Sequence, residues 1–90
     1  IDHKIGILAC LSALAEIQLS LNNVNQSARL YCFVTAQLKK DSLQLMEPDE
    51  FAMKRLALAL THHINDKAIK KIIYGTERLS LDEIIKELNF

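Results

Sequence analysis

Turn-forming residues are scarce in this chain: its 90 residues include two Gly and one Pro, and there is no Trp beside three Phe and two Tyr. So few chain breakers exclude a turn-rich β architecture and predict long helices with short connections. Net charge is missing as well, since 11 basic residues balance 11 acidic ones. The balance is also local, with five of each sign in residues 66–90, so no basic stripe exists to follow a phosphate backbone and nucleic acid is not the expected partner. Only two cysteines occur, Cys10 and Cys32, inside apolar helical runs and without the close spacing of a zinc or disulfide framework. Both are expected as buried, reduced thiols in a cytoplasmic protein. No basic start leads into an apolar stretch with a small-residue cleavage site, and the uncharged run ending at Ala28 is rich in amides, so no membrane span is expected.

Apolar residues make up half the chain, and their spacing is helical. From Ile5 to Leu21 they are too numerous for one wet face, which predicts a first helix covered on most sides. Asn22-Asn23-Val24-Asn25 then forms a helix stop and a turn, because asparagine tolerates left-handed backbone and bonds its own main chain. A second helix is predicted from Asn25 to Ser27 onward to about Lys40, with an amide or hydroxyl capping its start and Lys39-Lys40 suiting its negative end. Ala28, Cys32 and Ala36 line one side of it at a spacing of four. Gly6, Cys10 and Ala13 offer a matching small-residue stripe in the first helix, so the two are predicted to pair closely as an antiparallel hairpin through these six positions. Cys10 then falls opposite about Ala36, and Cys32 opposite about Leu14, a stagger that disfavours a disulfide.

Asp41 to Glu47 reads as a connection, with Pro48 as the first residue of a third helix running to about His63 and Asp49 and Glu50 at its positive end. After Asn65-Asp66, the stripe Ala68, Ile69, Ile72 and Ile73 predicts a fourth helix, ended by Gly75 in the left-handed conformation. Ser80 and Glu83 have capping-box spacing ahead of a short fifth helix with Leu81, Ile84, Ile85 and Leu88 on one face.

Leu14-Ala15, the Asn22-Asn23 turn and Ser27-Ala28-Arg29-Leu30 together resemble a tetratricopeptide-like helical hairpin. Continued through LMEPDEF at 45–51 and LSLDEII at 79–85, the pattern is similar to the C-terminal helical segment of large bacterial regulators, such as LuxR-type transcription factors with a nucleotide-binding switch and some multidomain cyclases and kinases. Tyr31-Cys32-Phe33 departs from the small-residue run usual there. The resemblance implies an all-α, α-solenoid type module used for docking or regulation, with no catalytic residues to carry over.

Three groups carry residue types that could form a site. His62 and Asp66 share a helix face, but His63 diverges from His62 by about 100° and further ligands are missing nearby, so a polar helix end is preferred to a metal site. Cys32 sits among Tyr31, Phe33 and Val34 with no basic residue closer than Arg29, which predicts a protonated, unreactive thiol. Asn22, Asn23 and Asn25 suit a ligand's backbone, yet a helix corner demands such residues with or without a ligand. LSLDEIIKELNF at 79–90 resembles the first helix of a helix-turn-helix DNA reader, and this is the alternative reading. The expectation is therefore one all-α domain of about five helices over 1–90, from the C-terminal end of a longer chain since it begins with Ile1 and not Met. It is expected to be non-enzymatic, without cofactor or metal, and to dock a protein partner or a neighbouring domain of its own chain. Homodimerisation through exposed apolar helix faces is a further expectation, because the first and third helices carry more apolar surface than a unit of this size covers.

Overall fold

The computed structural model describes residues 2–88, and the side chains of residues 4–87. Five helices follow one another: α1 (Asp2–Ser20), α2 (Val24–Lys40), α3 (Asp49–His63), α4 (Asp66–Thr76) and α5 (Leu81–Leu88). Their ends are set by local chemistry. After α1, Asn22 takes a left-handed φ of 67°, its N–H donates to the Leu19 carbonyl at 2.9 Å, and the Asn23 N–H reaches back to the Gln18 carbonyl at 2.8 Å. These are the paired bonds that close a helix through a left-handed residue. Ser42, with φ of 53°, repeats the arrangement after α2, where the Leu43 N–H donates to the Leu38 carbonyl at 2.8 Å.

Asn65 caps α4 by accepting from the Ala68 N–H at 2.8 Å. Ser80 and Glu83 exchange reciprocal bonds of 3.1 and 3.2 Å ahead of α5. Three expected ends differ. Asn23, at the start of α2, makes no side-chain cap; its Nδ2 donates to Gln18 Oε1 at 2.8 Å. Gly75 does not end α4 and has no positive φ. The helix runs on to Thr76, which is buried and whose hydroxyl donates back to the Ile72 carbonyl at 2.9 Å. Pro48 stands just before α3, one residue earlier than its expected place inside it.

Helix α2 is the centre of the molecule, packing against α1, α3 and α4. Its Leu30, Phe33 and Val34 are fully buried, and Ala28 and Cys32 on another side are buried as well. The α1–α2 pair is in place, but the stripe predicted to join it on the α1 side is not. Gly6, Cys10 and Ala13 are exposed, while Leu8, Leu11, Ser12 and Ala15 turn inward. The close approach falls at Ala15 and Ser27, both fully buried, where the Ser27 hydroxyl donates to the Ala15 carbonyl at 2.7 Å. Leucines win the inward face because burying them removes far more apolar surface from water than burying Gly6, Cys10 and Ala13.

Helix α3 lies against α1 and α2 through Leu56 and Leu60, with Ile64 buried just beyond it. Helix α4 packs on α2 and does not fold back along α3 as a second hairpin. Ile84 of α5 is fully buried and joins the same core, with Leu79 and Leu81 packed around it. Arg29 of α2 ties α5 down by a two-pronged contact with Glu87, Nε to Oε1 at 2.8 Å and Nη2 to Oε2 at 2.6 Å. Leu88, expected on this face, has a side chain outside the described ones. The radius of gyration, 12.0 Å, equals the roughly 12 Å of a compact single domain of this length.

Candidate interaction surface

The sequence leaves α1 apolar around its whole circumference, and the fold covers only part of it. Gly6, Ile7, Cys10, Ala13, Ile17 and Leu21 are all exposed, Ile17 by 53% and Leu21 by 65%. At about 100° of rotation per residue Gly6, Cys10, Ala13, Ile17 and Leu21 gather on the side opposite Leu8 and Ala15, and Ile7 lies at its edge beside Leu11. The two charged side chains described on α1 are engaged elsewhere, Lys4 with Asp41 of the α2–α3 connection and Glu16 with Arg55 of α3. What remains is a charge-free apolar face. On α3, Phe51 (59% exposed) and Leu58 (68% exposed) also look outward.

Between α1 and α3 runs a groove of about 300 Å³ lined by Glu16, Leu19, Ser20, Arg55, Leu56 and Ala59. Glu16 Oε1 lies buried in it without a hydrogen-bond partner, and Arg55 Nη2 stands 3.7 Å away. That separation is longer than a hydrogen bond. Sequence reading did not single out Glu16, although a signal was present, since it is the only charged residue between Lys4 and Arg29.

The amide cluster at the α1–α2 corner is accounted for largely by the turn. Asn22 supplies the left-handed residue and Asn23 bonds Gln18, while Asn25 is exposed. An open polar hollow remains beside them, bounded by Gln26 and Glu87, and the buried Gln26 Nε2 lacks a partner. His62, His63 and Asp66 are exposed, and among the described residues no three His, Cys, Asp or Glu side chains gather as a metal-ligand set.

Both thiols are free. Cys32 is buried, and loss of hydration pushes its pKa up to about 11 against a smaller opposing pull from the Arg29 charge. Cys10, expected to be buried, is exposed on the outer side of α1 because the helix turns its leucines to the core. No helix among the described residues is long and apolar enough to cross a membrane. The chain is thus an all-α domain whose most distinctive surface is the uncovered side of α1 with the adjoining α1–α3 groove. No family model, curated protein or solved structure matches it.

Proposed function

We propose that this chain is a non-enzymatic helical module of tetratricopeptide-like type that docks a protein partner, or another domain of its own chain, on the outer face of α1. In this reading it belongs to a bacterial multidomain regulator, transcriptional or signalling, working in the cytoplasm, where two free thiols persist. The observation that carries the docking reading is the charge-free row Ile7, Cys10, Ala13, Ile17 and Leu21, exposed along nearly the full length of α1. A contiguous apolar patch of this kind on a small domain marks a place where something else packs. The solenoid-like character is supported by α3 stacking beside both members of the α1–α2 pair. Partner binding then reaches the rest of the domain by shifting α1 against α2 and α3.

The test is a photo-crosslinking residue at Ala13, with Lys70 on the exposed side of α4 as control, in the cells that make the protein. An adduct with one protein at Ala13, absent at Lys70 and abolished by Ile17→Glu, is the expected result, followed by binding between the two purified proteins. No adduct at Ala13, or the same adducts at both positions, overturns the reading.

A further inference from the structure

We propose that the hollow where the start of α1, the end of α2 and the α4–α5 connection meet binds a small organic phosphate monoester, a phosphoryl group on an apolar body. The site lies apart from the α1–α3 groove and does not depend on the docking reading. Its volume is about 620 Å³, within the range of ligand sites. The fold brings Lys4, Lys40 and Arg78 to its walls from three distant points of the chain, and among the described residues no acidic side chain lines it. Gln37 stands in the same wall. It is only 9% exposed, and its side-chain amide makes no hydrogen bond with another described residue. Unlike the sealed Gln26 Nε2, this amide reaches the open space of the hollow. A buried amide calls for a partner, and the hollow is where one can stand.

Charge selects the occupant. With only cations in the walls, a cationic ligand is repelled. Lys4 is shared with Asp41, whereas Lys40 and Arg78 make no ion pair among the described residues. Those two charges match the roughly −1.5 to −2 of a phosphate monoester near neutral pH better than the single charge of a carboxylate. Arg78 rests over the Tyr74 ring, 5.7 Å from its centroid, an arrangement that leaves its N–H donors unspent. The Ser80 hydroxyl oxygen accepts from the Glu83 N–H at 3.2 Å, and its own O–H remains to donate. Gln37 Nε2 donates to a phosphoryl oxygen from the buried side. Ile7, Leu79 and Leu81 complete the wall with apolar surface, which an inorganic ion leaves wet and the carbon body of an ester covers.

The probe is phenyl phosphate, titrated at about pH 7.5 into the ¹⁵N-labelled protein beside inorganic phosphate and phenylacetate. Saturable shifts at the amides of Gln37, Lys40, Leu79, Ser80 and Leu81 are expected, with each comparator binding about tenfold more weakly. Lys40→Gln with Arg78→Gln, both on the exposed rim, should abolish saturation, while Lys67→Gln with Lys70→Gln on the outer side of α4 should leave it unchanged. Gln37→Met, of similar volume, should weaken binding about tenfold through loss of one bond to a charged group, an effect that loose attraction to surface lysines does not produce. Its own spectrum reports whether the fold is kept, and if it is not, the rim pair decides. Inorganic phosphate binding as well as the ester shows an adventitious ion only and overturns the inference. Equal binding of phenylacetate, shifts centred on the α4 lysines, full affinity in the rim pair or in a folded Gln37→Met, or no saturable shift overturns it too.

Discussion

At the scale of single residues, the left-handed positions carry an avoidable cost. Asn22 suits φ of 67° because its short amide side chain tolerates that region, but Ser42 at φ of 53° has no such advantage. Ser42 is exposed and its side chain makes none of the hydrogen bonds that close the turn. Replacing it with Gly removes the Cβ penalty and gives back part of the gain as unfolded-chain entropy, for a net stabilisation of roughly 0.5–1 kcal/mol. Urea unfolding of Ser42→Gly beside the parent measures it, and a lower midpoint contradicts it.

The two cysteines give a second residue-scale prediction, because one is exposed and the other buried with a pKa near 11. A thiol reagent at neutral pH should modify Cys10 rapidly and Cys32 only on unfolding. The pH dependence has a definite sign. From the ordinary thiol value of 9.0 up to about 11 the unfolded chain sheds the Cys32 proton while the folded chain keeps it, so the unfolded state binds fewer protons and stability falls as pH rises. Below pH 9 that contribution is fully present. Cys32→Ala should therefore show a shallower loss of Tm between pH 9 and pH 11 than the parent, and parallel curves would show that the thiol is not the group responsible.

At the scale of elements, the joint between α1 and α2 depends on the absence of side-chain bulk at Ala15 and Ser27, where the Ser27 hydroxyl meets the Ala15 carbonyl at 2.7 Å. Ala15→Leu inserts three carbons where none fit and should cost about 1–3 kcal/mol, whereas Ala13→Leu on the exposed side should cost less than about 0.5 kcal/mol. A larger loss at Ala13 than at Ala15 would reverse the orientation assigned to α1. Two helix ends were legible in the sequence because they are written in adjacent residues: Asn22 at a stop and Ser80 with Glu83 at a cap. The facing of α1 was not legible, since a helix that is apolar on most sides contains two stripes stepping by three and four residues, Gly6-Cys10-Ala13 and Leu8-Leu11-Ala15, and only packing chooses between them. Gly75 misled for a related reason. The burial of Thr76 that carries α4 one residue further is a contact across the molecule, invisible to a rule about chain termini.

At the scale of the whole molecule, α4 packing on α2 was beyond reach of the sequence, because the narrow stripe Ala68, Ile69 and Ile72 fits any apolar neighbour. That choice makes α2 the shared centre, leaves no helix among the described residues covering the outer side of α1, and locates the surface that matters for function. Ile17 and Leu21 are more than half exposed, so their burial adds little to folding. Changing both, as Ile17→Glu with Leu21→Lys, should shift the unfolding free energy by no more than about 1 kcal/mol for the pair, while Leu11→Ala, at 6% exposure, should cost about 2–5 kcal/mol. Self-association separates the same residues in another way. If α1 pairs with α1 of a second copy, the parent should sediment as a heavier species with rising concentration and the doubly charged variant should remain a monomer, because two new charges on each copy would have to be desolvated in the contact. A parent that stays monomeric leaves the apolar face to a different protein, and a variant that unfolds shows that α1 needs this face for its own fold.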